Sequence, residues 1–287
     1  MLDAIQLATF QAVIEEGGFE AAARALHVTP SAVSQRIKAL EQAVGQVLVR
    51  RTRPCEATEA GQALVRLAGQ VALLEREALD AARGAPAGGG RTRMAVVVNA
   101  DSLHTWFLPA LAAVPPALAL SFDLHQDDQD HTADLLRAGT AMAAVTAQHV
   151  AVQGCRAEKL GVMRYLAVAA PGAFEDFATS PMIVLNRKDR LQHRFLAAQT
   201  HRRPDPPIHY VPAAAAFVDA IRLGLGWGMV PERLARDDIA AGRVRELAPG
   251  RHLDVPLYWQ YWRMESVMLT ALTEAVKAAA AEALRPA

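Results

Sequence analysis

Ser31, Ser34 and Gln35 stand in the stretch HVTPSAVSQRIKALEQAVG, from His27 to Gly45, with Arg36 and Lys38 beside them. Short hydroxyl and amide side chains can donate and accept hydrogen bonds at base edges, whereas guanidinium and ammonium groups suit phosphate or guanine. A second polar group comes later. Asn99, Asp101 and Ser102 fall in NADSLHTWFLPAL, and Asp127 and Asp128 follow the alternating stretch LALSFDLHQ. Free N–H groups at a helix start suit a carboxylate, and acidic side chains suit an ammonium or guanidinium. Capping by Asp101 or Ser102 is the plain alternative. Enzyme chemistry finds no foothold: the nine histidines are scattered, and no phosphate-binding loop, local Ser/His/Asp or Cys/His motif or metal-type Cys/His spacing occurs.

The elements that must carry these residues follow from period and punctuation. Thr29 is a good N-cap with Pro30 at the first helical position, and Val33, Ile37 and Leu40 recur at helical spacing behind the polar face. Upstream, Leu7, Phe10, Val13 and Ile14 make a stripe stopped by Gly17 and Gly18. FEAAARALHV reads as a short helix with Ala22, Ala23 and Leu26 inward. Together these pieces predict a helix-turn-helix whose second helix presents Thr29, Ser31, Ser34 and Gln35 to a major groove. VLVRRTRPCEAT then predicts a short hairpin carrying Arg50, Arg51 and Arg53 to phosphates or a minor groove. Residues 23–53 hold six Arg or Lys against Glu41 alone, on a chain whose net charge is zero. That is a local basic stripe of the kind DNA needs. A solvated helix face and a charged loop are the bland readings of the same residues.

A long helix is expected from Thr58 and Glu59 to about Arg83. Ala60, Leu64, Leu67, Val71, Leu74, Ala78 and Ala81 alternate in steps of four and three, the narrow seam of helix pairing. An amphipathic helix packed on its own domain is the rival. GAPAGGGRTR, Gly84 to Arg93, is the clearest linker. Beyond it strands alternate with helices, which predicts an α/β fold. Leu118, Leu120, Phe122 and Leu124 are expected on one buried strand face. AMAAVTAQH reads as the next strand, with Thr146 to Gln148 at its end, and PLYWQYW as an aromatic core strand.

The chain has 287 residues, 52% hydrophobic and 21% charged, an ordinary balance for a folded protein with a large core. Its two cysteines, Cys55 and Cys155, lie 100 positions apart in different domains, so reduced thiols and a reducing compartment are expected. The N-terminus has no basic region followed by an apolar run, and no apolar stretch is long enough to span a bilayer, so the expectation is a cytoplasmic protein.

FEAAARALHVTPSAVSQRIKALEQAVGQVLVRRTRPCEATEAGQAL resembles the N-terminal domain of the LysR-type transcriptional regulators, densely over residues 1–83. Within that family, HVTPSAVSQRIKALE, RTRPC and NADSLHTWFLPAL resemble the subgroup that controls arginine and lysine export, also described as chromosome-initiation inhibitors. The resemblance implies a winged helix-turn-helix over 1–58, a linker and dimerisation helix over 59–83 and a hinge over 84–93. A two-lobe, periplasmic-binding-protein-like effector domain would follow over 94–287, with lobe 1 at about 94–164 and 264–287 and lobe 2 at about 165–263. It implies promoter binding set by a small effector, lysine or arginine, held by Asn99, Asp101, Ser102, Asp127, Asp128, Thr146 and Gln148. PAAAAFVDAIRLGLGWGMVP resembles the second-lobe helix and turn, which adds Phe217. The subgroup's acidic turn is altered here at its third place, Gln129. The implied partners are double-stranded DNA, a second copy of the chain and its tetramer, and RNA polymerase, with no cofactor, metal or membrane. An architectural chromosome-binding protein and a solute-binding protein with a helical appendage remain as alternatives.

Overall fold

The computed structural model describes residues 2–83, 91–127, 133–174, 176, 179–199 and 204–286, without the side chains of 127, 133 and 134. Asp128 and most of the expected hinge lie outside the described residues.

Three helices form the head: α1 (Ala4–Glu15), α2 (Phe19–Ala25) and α3 (Pro30–Val44). Their apolar stripes meet around Phe10, Val13, Ala22, Val33, Ile37 and Leu40, all buried. Thr29 Oγ1 accepts from Ala32 N at 3.2 Å, and Gly45 closes α3 at a left-handed φ of 76°. The hairpin of β1 (Val49–Arg50) and β2 (Glu56–Ala57) follows. Glu41 Oε1 accepts from the N–H groups of Leu48 and Val49 at 2.9 and 3.4 Å. The single carboxylate of the basic stretch thus fastens the hairpin to α3.

The long helix α4 (Glu59–Arg83) has two apolar faces. Val65 and Ala68 close the head core, and Gly61 permits a close approach, since a Cβ there would lie 2.4 Å from the Leu48 carbonyl. Leu73 joins the core of the C-terminal part, and a Cβ on Gly69 would lie 2.9 Å from the Trp262 ring. Of the expected seam, Ala60, Leu64 and Leu67 are half-buried against the head core, and the later positions turn outward. Leu74 is 43% exposed, and Ala78 and Ala81 are exposed too.

The C-terminal part is built on one seven-stranded sheet. Its strands are β3 (Thr92–Asn99), β4 (Leu120–Asp127), β5 (Ala143–Thr146), β6 (Cys155–Ala169), β9 (Gly228–Pro231), β10 (Arg245–Glu246) and β11 (His252–Trp262). The order is β10-β6-β11-β5-β3-β4, with β9 also on β6. A separate parallel pair joins β7 (Met182–Val184) to β8 (Ile208–Tyr210). The helices are α5 (Ala100–Ser102), continuing through a π-turn at Leu103–Phe107 into α6 (Leu108–Ala112), then α7 (Ala133–Arg137), α8 (Leu191–Gln199), α9 (Ala214–Arg222), α10 (Glu232–Ala240) and α11 (Val267–Ala283). One core gathers Val96, Val97, Phe107, Trp259 and Trp262, and a second gathers Leu166, Ile183, Val218 and Val230. The larger core also takes in Met182, Phe195 and Trp227, so the two lobes share it, and β6 and β11 pass through both. Among the described residues no helix is long and apolar enough to cross a membrane.

One expectation needs correction. Leu118 is not on the strand with Leu120, Phe122 and Leu124. Pro115 and Pro116 start a 3-10 turn at Pro116–Leu118, and Ala119 at φ 49° redirects the chain before β4 begins.

Candidate nucleic-acid interface and effector cleft

On α3 the side chains of Ser31, Gln35 and Lys38 are exposed, and Ser34 is half-buried among them. Thr29 is exposed but engaged, capping the helix and bonding Ser31 Oγ at 2.9 Å. Arg36 differs from its neighbours. Its Nη1 donates to Thr9 Oγ1 at 3.3 Å, so this cation ties α3 to α1. Sequence spacing could not reveal that, because Thr9 lies 27 positions upstream. Arg50, Arg51 and Arg53 are all exposed at the hairpin, and the Arg51 guanidinium lies 4.8 Å from the Phe19 ring centroid, which fixes its direction. Polar readers on one helix and cations on an adjoining hairpin can serve base edges and phosphates together.

The second site forms where β4 and β5 flank β3 in parallel on opposite sides. Asn99 pairs in register with Asp127, and Thr146 stands level with it, two places beyond the Val97–Ala144 pair. Three carboxyl-terminal strand ends therefore stand in a row, roughly 4.8 Å apart. A crevice opens at such a switch point, because successive connections leave on opposite faces of the sheet. Asn99 and Ser102 are 3% and 0% exposed, yet Asn99 Oδ1 and Ser102 Oγ have no partner among the described residues. Buried polar atoms are nearly always paired, so an orphaned pair at a strand end marks a place for a ligand.

Neither Asp101 nor Ser102 caps the helix. Asp101 Oδ2 accepts from the Tyr165 hydroxyl at 2.7 Å, and its carbonyl accepts from Thr105 Oγ1 at 2.6 Å. Thr146 is fully buried, its Oγ1 accepting from Gln148 N at 3.1 Å. Gln148 Oε1 accepts from Arg137 Nη2 at 3.1 Å. Phe217 is a correction: its ring packs in the second lobe's core, against the close approach of Gly228, and is 7% exposed. Val218 and Ile221 beside it on α9 are buried in the same core. Elsewhere Gln192, in the first turn of α8, is 1% exposed with Oε1 unpartnered among the described residues. Tyr165 and Arg137 carried no sequence signal, since their roles depend on partners distant in the chain.

A DNA-reading head joined by a long helix to a two-lobe cleft defines a ligand-responsive DNA-binding regulator. Residues 5–62 match the bacterial regulatory helix-turn-helix protein of the lysR family, and residues 87–284 match the LysR substrate binding domain. The chain belongs to the LysR family. It is 43% identical to the lysine export transcriptional regulatory protein LysG of Corynebacterium glutamicum, over 99% of this chain and all of the relative. It superposes on a crystal structure of ArgP from Mycobacterium tuberculosis with TM-score 0.88, at 47% identity and with both chains fully covered. The full-length Corynebacterium glutamicum LysG with bound effector Arg gives TM-score 0.82 at 41% identity, covering 99% of this chain and all of that one. A second full-length structure of that regulator gives 0.64 at the same identity, with both chains covered throughout.

Proposed function

We propose that the chain senses a basic amino acid, lysine or arginine, in the cleft at Asn99, Asp127 and Thr146, and passes its state to DNA bound by α3 and the hairpin. The observation that carries this reading is the orphaned pair Asn99 Oδ1 and Ser102 Oγ, buried beside a strand end that brings Asp127 level with Asn99. Donors near Ser102 suit an α-carboxylate. Asp127, Asp128 and the carbonyls around them suit the two cations. Asp101, tied to Tyr165, shapes the floor, and Gln148 and Gln192 close the sides. A relative that carries Arg as its effector supports this ligand class.

Two copies pair through the outer seam of α4, which the protomer leaves uncovered from Leu74 onward, and two such dimers make a tetramer. The protein works in the cytoplasm with RNA polymerase as the downstream partner, catalyses no reaction, and governs an exporter of basic amino acids. Its parts follow the boundaries 1–58, 59–83, 84–93 and 94–287. Calorimetric titration of the full chain with L-lysine and L-arginine tests the reading. Binding is expected, and Asp127→Asn or Asp128→Asn should weaken it by roughly ten- to hundredfold, the worth of one charge-assisted hydrogen bond. No heat with either amino acid overturns it.

A further inference from the structure

Arg66 lies on the face of α4 turned toward the sensor. Its Nη1 donates to the carbonyl of Gln153, and its Nη2 donates to the carbonyl of Arg137 at 3.3 Å. Each receiving turn contains a glycine at positive φ, Gly139 at 77° and Gly154 at 84°. A Cβ on Gly139 would lie 2.7 Å from Arg66 N, and one on Gly154 would lie 3.1 Å from Arg66 Nη1. Glycine supplies both the angle and the room. The two turns are shaped to receive this helix at this residue.

Both turns come from the cleft. One ends α7, the first element described after β4. The other ends the segment that starts at Thr146 and Gln148. The Arg137 guanidinium bridges them by donating to Gln148 Oε1. Gln260, fully buried on β11, stiffens the segment: its Nε2 donates to the carbonyls of Gln148 and Val150 at 3.0 Å, and its Oε1 accepts from Val152 N at 2.9 Å. Arg66 Nε, in contrast, is buried with no partner among the described residues. Water would satisfy that donor if the helix withdrew, so the seated arrangement carries a built-in cost.

We propose that Arg66 is a positioning residue for the effector cleft and the joint through which cleft occupancy reaches the dimer helix. Seated, it holds Gln148 and the Arg137 turn in place; withdrawn, it releases both. The proposal rests on the amino-acid-sensing reading above. Linkage is reciprocal, so a ligand that needs the seated turns must strengthen the seating by the same factor.

The test uses the full chain, L-arginine and a duplex selected from random DNA by the wild type. In Arg66→Met, L-arginine should bind about tenfold more weakly and should no longer change affinity for the duplex. Glu77→Gln is the control. It loosens a different contact of α4, where Glu77 Oε1 accepts from Ser266 Oγ and Met268 N at 2.6 and 2.9 Å, and should leave both readouts at wild-type values. Wild-type affinity or a wild-type DNA response in Arg66→Met overturns the joint, as does an equal shift in Glu77→Gln. If Arg66→Met melts without cooperativity, Arg66→Lys is read in its place and should show a smaller shift in the same direction; wild-type values there overturn the joint too. A wild type that binds neither L-arginine nor L-lysine overturns the sensing reading itself, which separates the two failures.

Discussion

The Tyr165 hydroxyl donates to Asp101 Oδ2 at 2.7 Å, which ties a strand common to both lobes to the helix start on the cleft floor. Tyr165 is fully buried. Tyr165→Phe removes a donor to a carboxylate and should cost roughly 1–3 kcal/mol of stability. It should also lower L-arginine affinity, because one of the contacts that orient Asp101 is then lost. Scanning calorimetry and titration of the same protein check both, and an unchanged melting temperature would mean Asp101 is held by its other contacts.

Ser102→Ala separates a ligand role from a structural one. Removing a buried hydroxyl that has no partner among the described residues should leave the free protein as stable as before, or slightly more so. If the hydroxyl serves the ligand, affinity should fall about tenfold, the worth of one net hydrogen bond near 1.4 kcal/mol. A stability loss with unchanged affinity would assign Ser102 to the scaffold.

The head was largely legible in the sequence because its signals are local. Thr29-Pro30, Gly45 and the stripe Val33, Ile37 and Leu40 fix α3 within a few turns of chain, and the structure follows them. The strand end at Asn99 and the helix after it were legible for the same reason. What was not legible had distant partners. Arg36 looks like its neighbours until Thr9 is beside it. Phe217 looks like a cleft residue until Gly228 opens a place for its ring. Asp101 reads as a cap until Tyr165, 64 positions on, claims its oxygen. The seam on α4 was visible, but its inner face was harder to read, since Gly61, Ala68 and Gly69 leave only Val65 and Leu73 to mark it.

At the DNA interface, Gln35→Ala should weaken binding to a selected duplex by on the order of 1–3 kcal/mol while leaving random DNA nearly unaffected. Arg51→Ala and Arg53→Ala should weaken both and flatten the salt dependence, because each removes a phosphate-directed charge. Titrations at several salt concentrations distinguish them. Equal loss on both duplexes in Gln35→Ala would make that residue a positioning contact.

Leu74→Glu should dissociate the dimer without unfolding the protomer. Leu74 is 43% exposed on the outer seam, so a single chain tolerates a carboxylate there, whereas a paired helix buries it unpartnered. Leu67→Glu is a harsher change, since Leu67 also packs against the head core. Sedimentation gives the answer, and an intact Leu74→Glu dimer would move the contact elsewhere.

Glu232 predicts a pH dependence. Burial alone would raise its carboxyl, but hydrogen bonds from Arg236 and Arg285 outweigh that and hold it below the ordinary 4.5. A group depressed on folding stabilises above its unfolded value and loses that contribution as pH falls through the folded one. Urea midpoints should therefore drop below pH 4.5 in the wild type and drop less steeply in Glu232→Gln. The partners are half in solvent, so the effect should be modest and weaken with salt.

The long antiparallel pairing of β6 with β11, Trp262 opposite Cys155 and His252 opposite Leu166, has a consequence for how the chain is born. The first lobe cannot finish its sheet until the ribosome has delivered the second lobe and returned, and it lacks α11 until Val267–Ala283 have been made. The head needs nothing beyond the first half of α4 for its own core. During synthesis a DNA-reading module therefore exists well before the C-terminal part is folded, and for that interval no finished cleft stands beside it.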